Sequence, residues 1–352
     1  MPRDATLEDV ARQAGVSLAT ASRVLNGSTR QVGRALRERV EQAAAELGYT
    51  TNRAAQALAR SASDILGLVV HDLSDPYFAV VANAVVRAAE RHGLSVMVGT
   101  TFRDPEAEIG YVATLRAQRV RAIVLAGSRI ADPRVTERLR KEIDRFQSTG
   151  GRAALIGQDL LGVDTVVPDN RAGARALAVS LAELGHSRFA ILTGPSTLLT
   201  AVDRVTGFTE GLASAGLPAP LLIPGPFDRD GGYAAAERLV ALMSGEAGAE
   251  PIEGAEFPAS EVTCVFAVND VMAVGALAAL RAHGVDVPGR VSVAGFDDIP
   301  TLRDLTPSLT TVRLPLAEMG RRAVELAMGT APITAEPALT EVVLRESTRP
   351  LP

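Results

Sequence analysis

From about residue 64 onward the sequence alternates short β-branched runs with amphipathic stretches, and this alternation limits the fold more than any other feature. DILGLVV (64–70) precedes a helical pattern from Tyr77 to His92, LSVMVGT (94–100) precedes one from Pro105 to Gln118, and RAIVLAG (121–127) follows. The pattern resumes with RAALIG (152–157), RFAILTG (188–194), VTCVFAV (262–268) and VSVAGF (291–296). Near-continuous apolar strands separated by helices describe parallel sheets covered on both faces. A chain of 352 residues, 47% hydrophobic, is too long for one ordinary core and too apolar to be disordered. Two or more packed units are expected.

The first 50 residues contain no such run, only three helical patterns separated by turn signals. Thr6 and Asp9 have capping-box spacing, and Leu7, Val10, Ala11 and Ala14 share a face before Gly15. Ser17 suits the N-cap of a second helix, with Ala21, Val24 and Leu25 facing inward. Leu36, Val40, Ala43, Ala44 and Leu47 define a third helix before Gly48. Three short helices make a small domain, and the four-residue link from Gly15 to Leu18 has helix-turn-helix geometry. With Ala21, Val24 and Leu25 buried, Leu18, Ala19, Ser22 and Arg23 lie on the exposed face of the second helix. Such a helix fits a DNA major groove, where Arg23 reads guanine and Leu18 and Ala19 suit thymine methyls.

The net charge of -5 argues at first against a nucleic-acid partner. Residues 1–62, however, hold nine arginines against six acids, a charge of +3, which leaves -8 for the remainder. The basic surplus and the helix-turn-helix pattern coincide. With Cys264 as the single cysteine, no intramolecular disulfide is possible, and the four scattered histidines lack metal-ligand spacing. No metal or cofactor is expected. Asp4, Glu8, Asp9 and Arg12 occupy the place a secretory signal would need for its apolar stretch, and no run of about 18 apolar residues exists. The expected location is the cytoplasm.

The segment DVARQAGVSLATASRVLNG (9–27), with RVEQAAAELGY (39–49) behind it, resembles the DNA-binding head of the LacI/GalR (lactose repressor) family of bacterial transcription regulators. The resemblance implies that Thr6, Ser17, Thr20, Ser22 and Asn26 contact phosphates. In TTNRAAQALARS (50–61), Asn52 is placed to cap a short Ala-rich helix that is not stable alone in water. In the resembled family this hinge helix forms on operator binding and inserts a leucine between base pairs, the position Leu58 occupies here. Thr51 stands where the family usually has proline, and Gln56 where it usually has arginine.

The remainder is similar to the family's effector-binding core, itself like periplasmic sugar-binding proteins, with two α/β lobes and a ligand between them. HDLSDPYF (71–78), VVPDNRAG (166–173), DRVTGF (203–208), VFAVNDVMAVGAL (265–277), VPGRVSVAGFDD (287–298) and SLTTVRLP (308–315) carry the likeness by their order and spacing. Open α/β sheets bind ligands at strand ends. Asp297 follows VSVAGF and Asn269 follows VTCVFAV, and both offer polar groups there. Arg204 supplies a donor fork, and Tyr77 and Phe78 supply apolar walls. Arg204 and Asp297 match effector-binding positions of the family, Phe227 falls where an aromatic stacks on the ligand, and Thr200 lies in a loop that lines the cleft in relatives. Leu198 replaces a residue that is polar in some relatives. Asp270 reads mainly as an N-cap, and Cys264 and His71 as structural.

The resulting expectation is a head at 1–50, a hinge at 51–63 and a core at 64–352, with one lobe from 64–165 and 314–332 and the other from 166–313 and 333–352. The function is that of an operator-binding regulator, chiefly a repressor, controlled by a sugar or related polyol. RESTRPLP follows a predicted strand without a heptad repeat, which points to a homodimer rather than a tetramer. The rival readings are a solute-binding protein, which leaves residues 1–62 unexplained, an enzyme, for which no phosphate loop or nucleophile motif appears, and a corepressor-dependent regulator of non-sugar metabolism.

Overall fold

The computed structural model describes the chain apart from residues 1–4, 26–31, 50–62, 247, 249, 251, 253, 333–336 and 352. It divides into two compact units, Met1–Asp64 with Gln118–Arg121, and Ile65–Ala117 with Ala122–Pro352.

In the first unit, helices α1 (Leu7–Ala14), α2 (Leu18–Leu25) and α3 (Arg34–Glu46) close on Val10, Ala11, Ala14, Ala21, Val40, Ala43 and Ala44. The predominance of alanine lets short helices approach closely with little bulk to order. The capping box forms: the Asp9 N–H donates to the Thr6 hydroxyl oxygen, and Asp9 Oδ2 accepts from the Thr6 N–H at 3.0 Å. Gly15 ends α1 at φ +63°, a left-handed turn that a side chain would strain. Arg39 on α3 donates to the Ala14 carbonyl at 2.5 Å, and Gln13 to Glu46 at 2.6 Å, so α3 fixes the turn between the first two helices.

The second unit contains two wholly parallel sheets. The first has the order β2-β1-β3-β4-β5, from β1 (Ile65–Val70), β2 (Ser95–Thr100), β3 (Ala122–Ala126), β4 (Arg152–Ile156) and β5 (Asp164–Val166). The second has the order β7-β6-β8-β9, from β6 (Phe189–Thr193), β7 (Leu221–Pro224), β8 (Cys264–Ala267) and β9 (Ser292–Ala294). Both wind the same way, reversing direction beside their first strand. Helices α4 (Pro76–Arg91), α5 (Pro105–Ala117) and α6 (Pro133–Ser148) serve the first sheet, while α7 (Asn170–Glu183), α8 (Leu199–Ser214), α9 (Arg229–Ser244) and α10 (Asp270–Ala282) serve the second. After β9 the chain forms β10 (Thr311–Arg313). It then returns to the first sheet as α11 (Leu316–Met328), which packs on α4, β3, β4 and β5, before β11 (Glu341–Val343) pairs antiparallel with β10.

Edge strand β2 departs from the fully covered pattern expected of it. Met97 and Val98 remain 37% and 41% exposed, as does Leu222 on β7, an edge strand of the second sheet, at 44%. The strands β5, β7 and β10, at three or four residues each, were not among the runs that stand out in the sequence.

Candidate functional site

On the head, Ser17 accepts the Thr20 N–H at 3.2 Å and shares a hydroxyl bond of 2.8 Å with Thr20, fixing the start of α2. Leu18 (47% exposed), Ala19 and Arg23 stand outward, while Thr20 and Ser22 are half-buried. One face of α2 thus offers a guanidinium flanked by small apolar groups. The Thr6 hydroxyl donates to Asp9 at 2.6 Å, so that expected phosphate contact is already engaged in capping α1. Asn26, Asn52 and Leu58, with Thr51 and Gln56, lie outside the described residues.

In the second unit, the carboxyl ends of both sheets open on one cavity, of about 490 Å³ including its mouth. Tyr77, Phe78, Thr200, Arg204, Phe227, Asn269 and Asp297, drawn from 221 positions of sequence, all line it. His71 and Ser128 reach it from the ends of β1 and β3, and Asn269, Asp297 and Phe227 from beyond β8, β9 and β7. Open parallel sheets place ligands at this edge because strand order reverses there and leaves a crevice.

Arg204 organises the floor. Its Nε donates to Asn170 at 2.9 Å, one terminal nitrogen to the Val268 carbonyl at 2.8 Å, and the other to Asp297 at 2.6 Å. The guanidinium lies 3.9 Å from the centroid of the Phe296 ring, an attractive cation–π contact. Asp297 is held in place by its own backbone: its N–H donates to the Val312 carbonyl at 2.8 Å, and it sits at φ +126°. Its neighbour Asp298, at φ +55°, accepts from Arg313 and Arg345 at 2.7 and 2.5 Å. Two consecutive unfavourable conformations are thus over-determined by surrounding bonds, as strained functional turns require. Burial raises the Asp297 carboxyl above its ordinary range and Arg204 opposes the rise.

Asp270 requires a correction. Asn269 is the N-cap of α10, accepting the Met272 N–H at 2.8 Å. Asp270 instead turns inward, accepts from the Thr311 hydroxyl at 2.7 Å and the Ile299 N–H at 3.0 Å, and so ties α10 to β10. Burial, with the Asp297 charge behind it, raises its carboxyl. Asn269 serves both the cap and the cavity wall.

His71 is structural and also part of the wall. Its ring packs on Phe78, its Nδ1 pairs with the Thr101 hydroxyl at 3.0 Å, and burial pushes its pKa down to about 4. A Cβ on Gly127, at φ +147°, would fall 2.3 Å from its Nε2, so glycine is needed there on two counts. Sequence reasoning missed Asn170, Ser128, Asp75 and Arg103 as lining residues. The strand-end rule that found Asn269 applies equally to Ser128. Arg103, at φ +62°, reaches from beyond β2 to within 5.5 Å of the Phe227 ring centroid.

The two halves of the cleft also meet along one side. The Leu199 N–H donates to the Arg129 carbonyl at 3.0 Å, the Ala131 N–H to Thr197 at 2.8 Å, and Gln158 Nε2 to the Thr200 hydroxyl at 3.0 Å.

Comparison with known proteins matches residues 6–52 to the model for bacterial regulatory proteins of the lacI family, and residues 178–348 to a periplasmic binding protein-like domain. The chain is 36% identical to the transcriptional regulator GalS of Salmonella typhimurium, over 97% of this chain and 95% of that protein. The chain belongs to the LacI family. Another relative, the regulator CelR of Thermobifida fusca, is 34% identical over 92% of this chain and 91% of its own. Among solved structures, the lac repressor dimer bound to operator and the anti-inducer ONPF superposes with a TM-score of 0.81 at 27% identity, covering 99% of this chain and all of that one. A CelR–cellobiose complex matches at 0.66 and 32%, covering 97% and 99%. The LacI-family architecture, a helix-turn-helix head followed by a two-lobed α/β core, is the one described above. No described helix is long and apolar enough to cross a membrane.

Proposed function

We propose that this LacI-family regulator is a cytoplasmic homodimeric repressor whose operator affinity is lowered by a neutral sugar or polyol bound in the cleft. The observation that carries the reading is the buried Arg204–Asp297 pair with Asn269 and Phe227 around one cavity at the strand ends. A donor fork, a carboxylate, a side-chain amide and an aromatic face are the groups that recognise adjacent hydroxyls and the C–H face of a sugar ring. The cleft's charges largely cancel, Arg204 against Asp297, so it is suited to a neutral ligand. The cellobiose complex of CelR is consistent with this class.

Leu18, Ala19 and Arg23 would read base edges, with Ser17, Thr20 and Ser22 at the phosphates. The exposed Met97 and Val98 on β2 and Leu222 on β7 favour a partner subunit across the sheet edges, because bare apolar edge strands invite pairing. Ligand and operator are linked: a sugar that weakens DNA binding by some factor is itself bound more weakly by that factor when DNA is present. No catalytic step is assigned. A gel-shift titration of the protein's own upstream DNA, with and without a panel of neutral sugars, tests the reading. Sequence-selective binding released by a sugar is expected; binding without sequence preference at physiological salt overturns it.

A further inference from the structure

Among the described residues, one buried side-chain polar atom has no hydrogen-bond partner, the Nε of Arg129. Arg129 follows β3 and is only 4% exposed. Its terminal nitrogens donate to the two oxygens of Glu108, each at 2.8 Å, which fixes the fork and neutralises the charge. Its main chain is held as well, the N–H by Gln158 Oε1 at 2.9 Å and the carbonyl by the Leu199 N–H. The side chain therefore has no freedom to carry Nε–H to solvent. Leaving a buried donor unmade is unfavourable, and such an atom calls for a specific acceptor.

Arg129 lines a second chamber, of about 410 Å³ including its opening, whose walls include Val135, Leu139 and Leu161. This chamber shares His71, Arg103, Ser128 and Leu198 with the cleft described above, so the two adjoin. We propose that the effector extends from the Arg204–Asp297 end of the cleft into this chamber, where an uncharged oxygen accepts a hydrogen bond from Arg129 Nε. The inference rests on the small-molecule reading of the cleft. Glu108 already satisfies the guanidinium charge, and a carboxylate or phosphate placed beside it would face a buried anion in a poorly screened pocket. A hydroxyl meets no such opposition. The surrounding aliphatic side chains suit the C–H faces of the arm or second ring that carries it.

Calorimetric titration of the full-length protein with glucose, cellobiose, galactose, lactose and glucose 6-phosphate tests this, comparing the wild type with Arg129→Lys. Lysine keeps the charge beside Glu108 and removes Nε. If circular dichroism shows that variant unfolded, the double variant Glu108→Gln/Arg129→Gln, which removes both buried charges, replaces it. A sugar that binds the wild type is expected to bind the variant about tenfold to hundredfold more weakly. A loss confined to disaccharides assigns the oxygen to a second ring, and an equal loss for monosaccharides assigns it to an arm of the first. A crystal structure of the complex should place a sugar oxygen within hydrogen-bond distance of Nε. Unchanged affinity, a complex with water alone at Nε, or preferential Arg129-dependent binding of the phosphate ester overturns the inference. Failure of every sugar to bind the wild type sinks the sugar reading of the cleft itself, a distinguishable result.

Discussion

Arg204 and Asp297 meet at 2.6 Å with their side chains only 3% and 8% exposed, so each neutralises a charge that the other would otherwise leave stranded. Arg204→Met should lower stability to urea by about 3–5 kcal/mol, because removing one partner of a buried pair leaves an uncompensated ion. Arg204→Met/Asp297→Asn should recover part of that loss in the same urea titration yet remain insensitive to effector in gel shifts. A double variant that still responds to sugar refutes the binding role.

Arg23→Ala should relax base preference at one position of each half-site by about 1–3 kcal/mol, since a guanidinium on a base edge discriminates between bases whereas a phosphate contact does not. Ser17→Ala should instead weaken all sequences alike. Binding to a randomised operator library separates the two; equal effects from both substitutions would remove Arg23 from direct readout.

His71 gives a pH dependence whose direction is fixed by burial. The folded state keeps its imidazole neutral down to about pH 4, whereas the unfolded chain takes up a proton below 6.5. Its contribution is therefore complete above pH 6.5 and is lost as pH falls toward 4, about 3 kcal/mol in all. Glu108, Arg129 and Arg103 are the charged neighbours that modulate it. Urea unfolding between pH 7.5 and 5 should show a shallower slope for His71→Asn than for the wild type; identical slopes contradict the assignment.

Val98→Glu on the exposed edge of β2 should dissociate the proposed dimer by setting like charges across the interface. Light scattering should fall from twice the monomer mass to one. A mass four times the monomer in the wild type would overturn the dimer itself.

Much of this arrangement is legible in the sequence because strands covered on both faces must be apolar throughout, as LGLVV and AIVLA are. The short strands DTV and LLIP lack that signature: they are brief, and Leu222 and Pro224 are exposed. Asn269 and Asp270 are equally good N-caps by type. What separates them is the position of Thr311, some forty residues later, which no local pattern reveals. Arg103 escaped for a similar reason, since a left-handed Phe102–Arg103 turn carries no glycine to announce it. The strand-end residues were readable because topology, rather than detail, brings them together.

The return of α11 to the first sheet sets an order of events during synthesis. A chain emerging from the ribosome can complete its three-helix head early, as domains generally fold in turn from the N-terminus. The first sheet, by contrast, lacks its cover over β3, β4 and β5 until residues Leu316–Met328 have been made, after the whole second sheet. Nascent or prematurely terminated chains would thus present an aliphatic face to chaperones and proteases, and only a polypeptide extended past the second sheet can hide it.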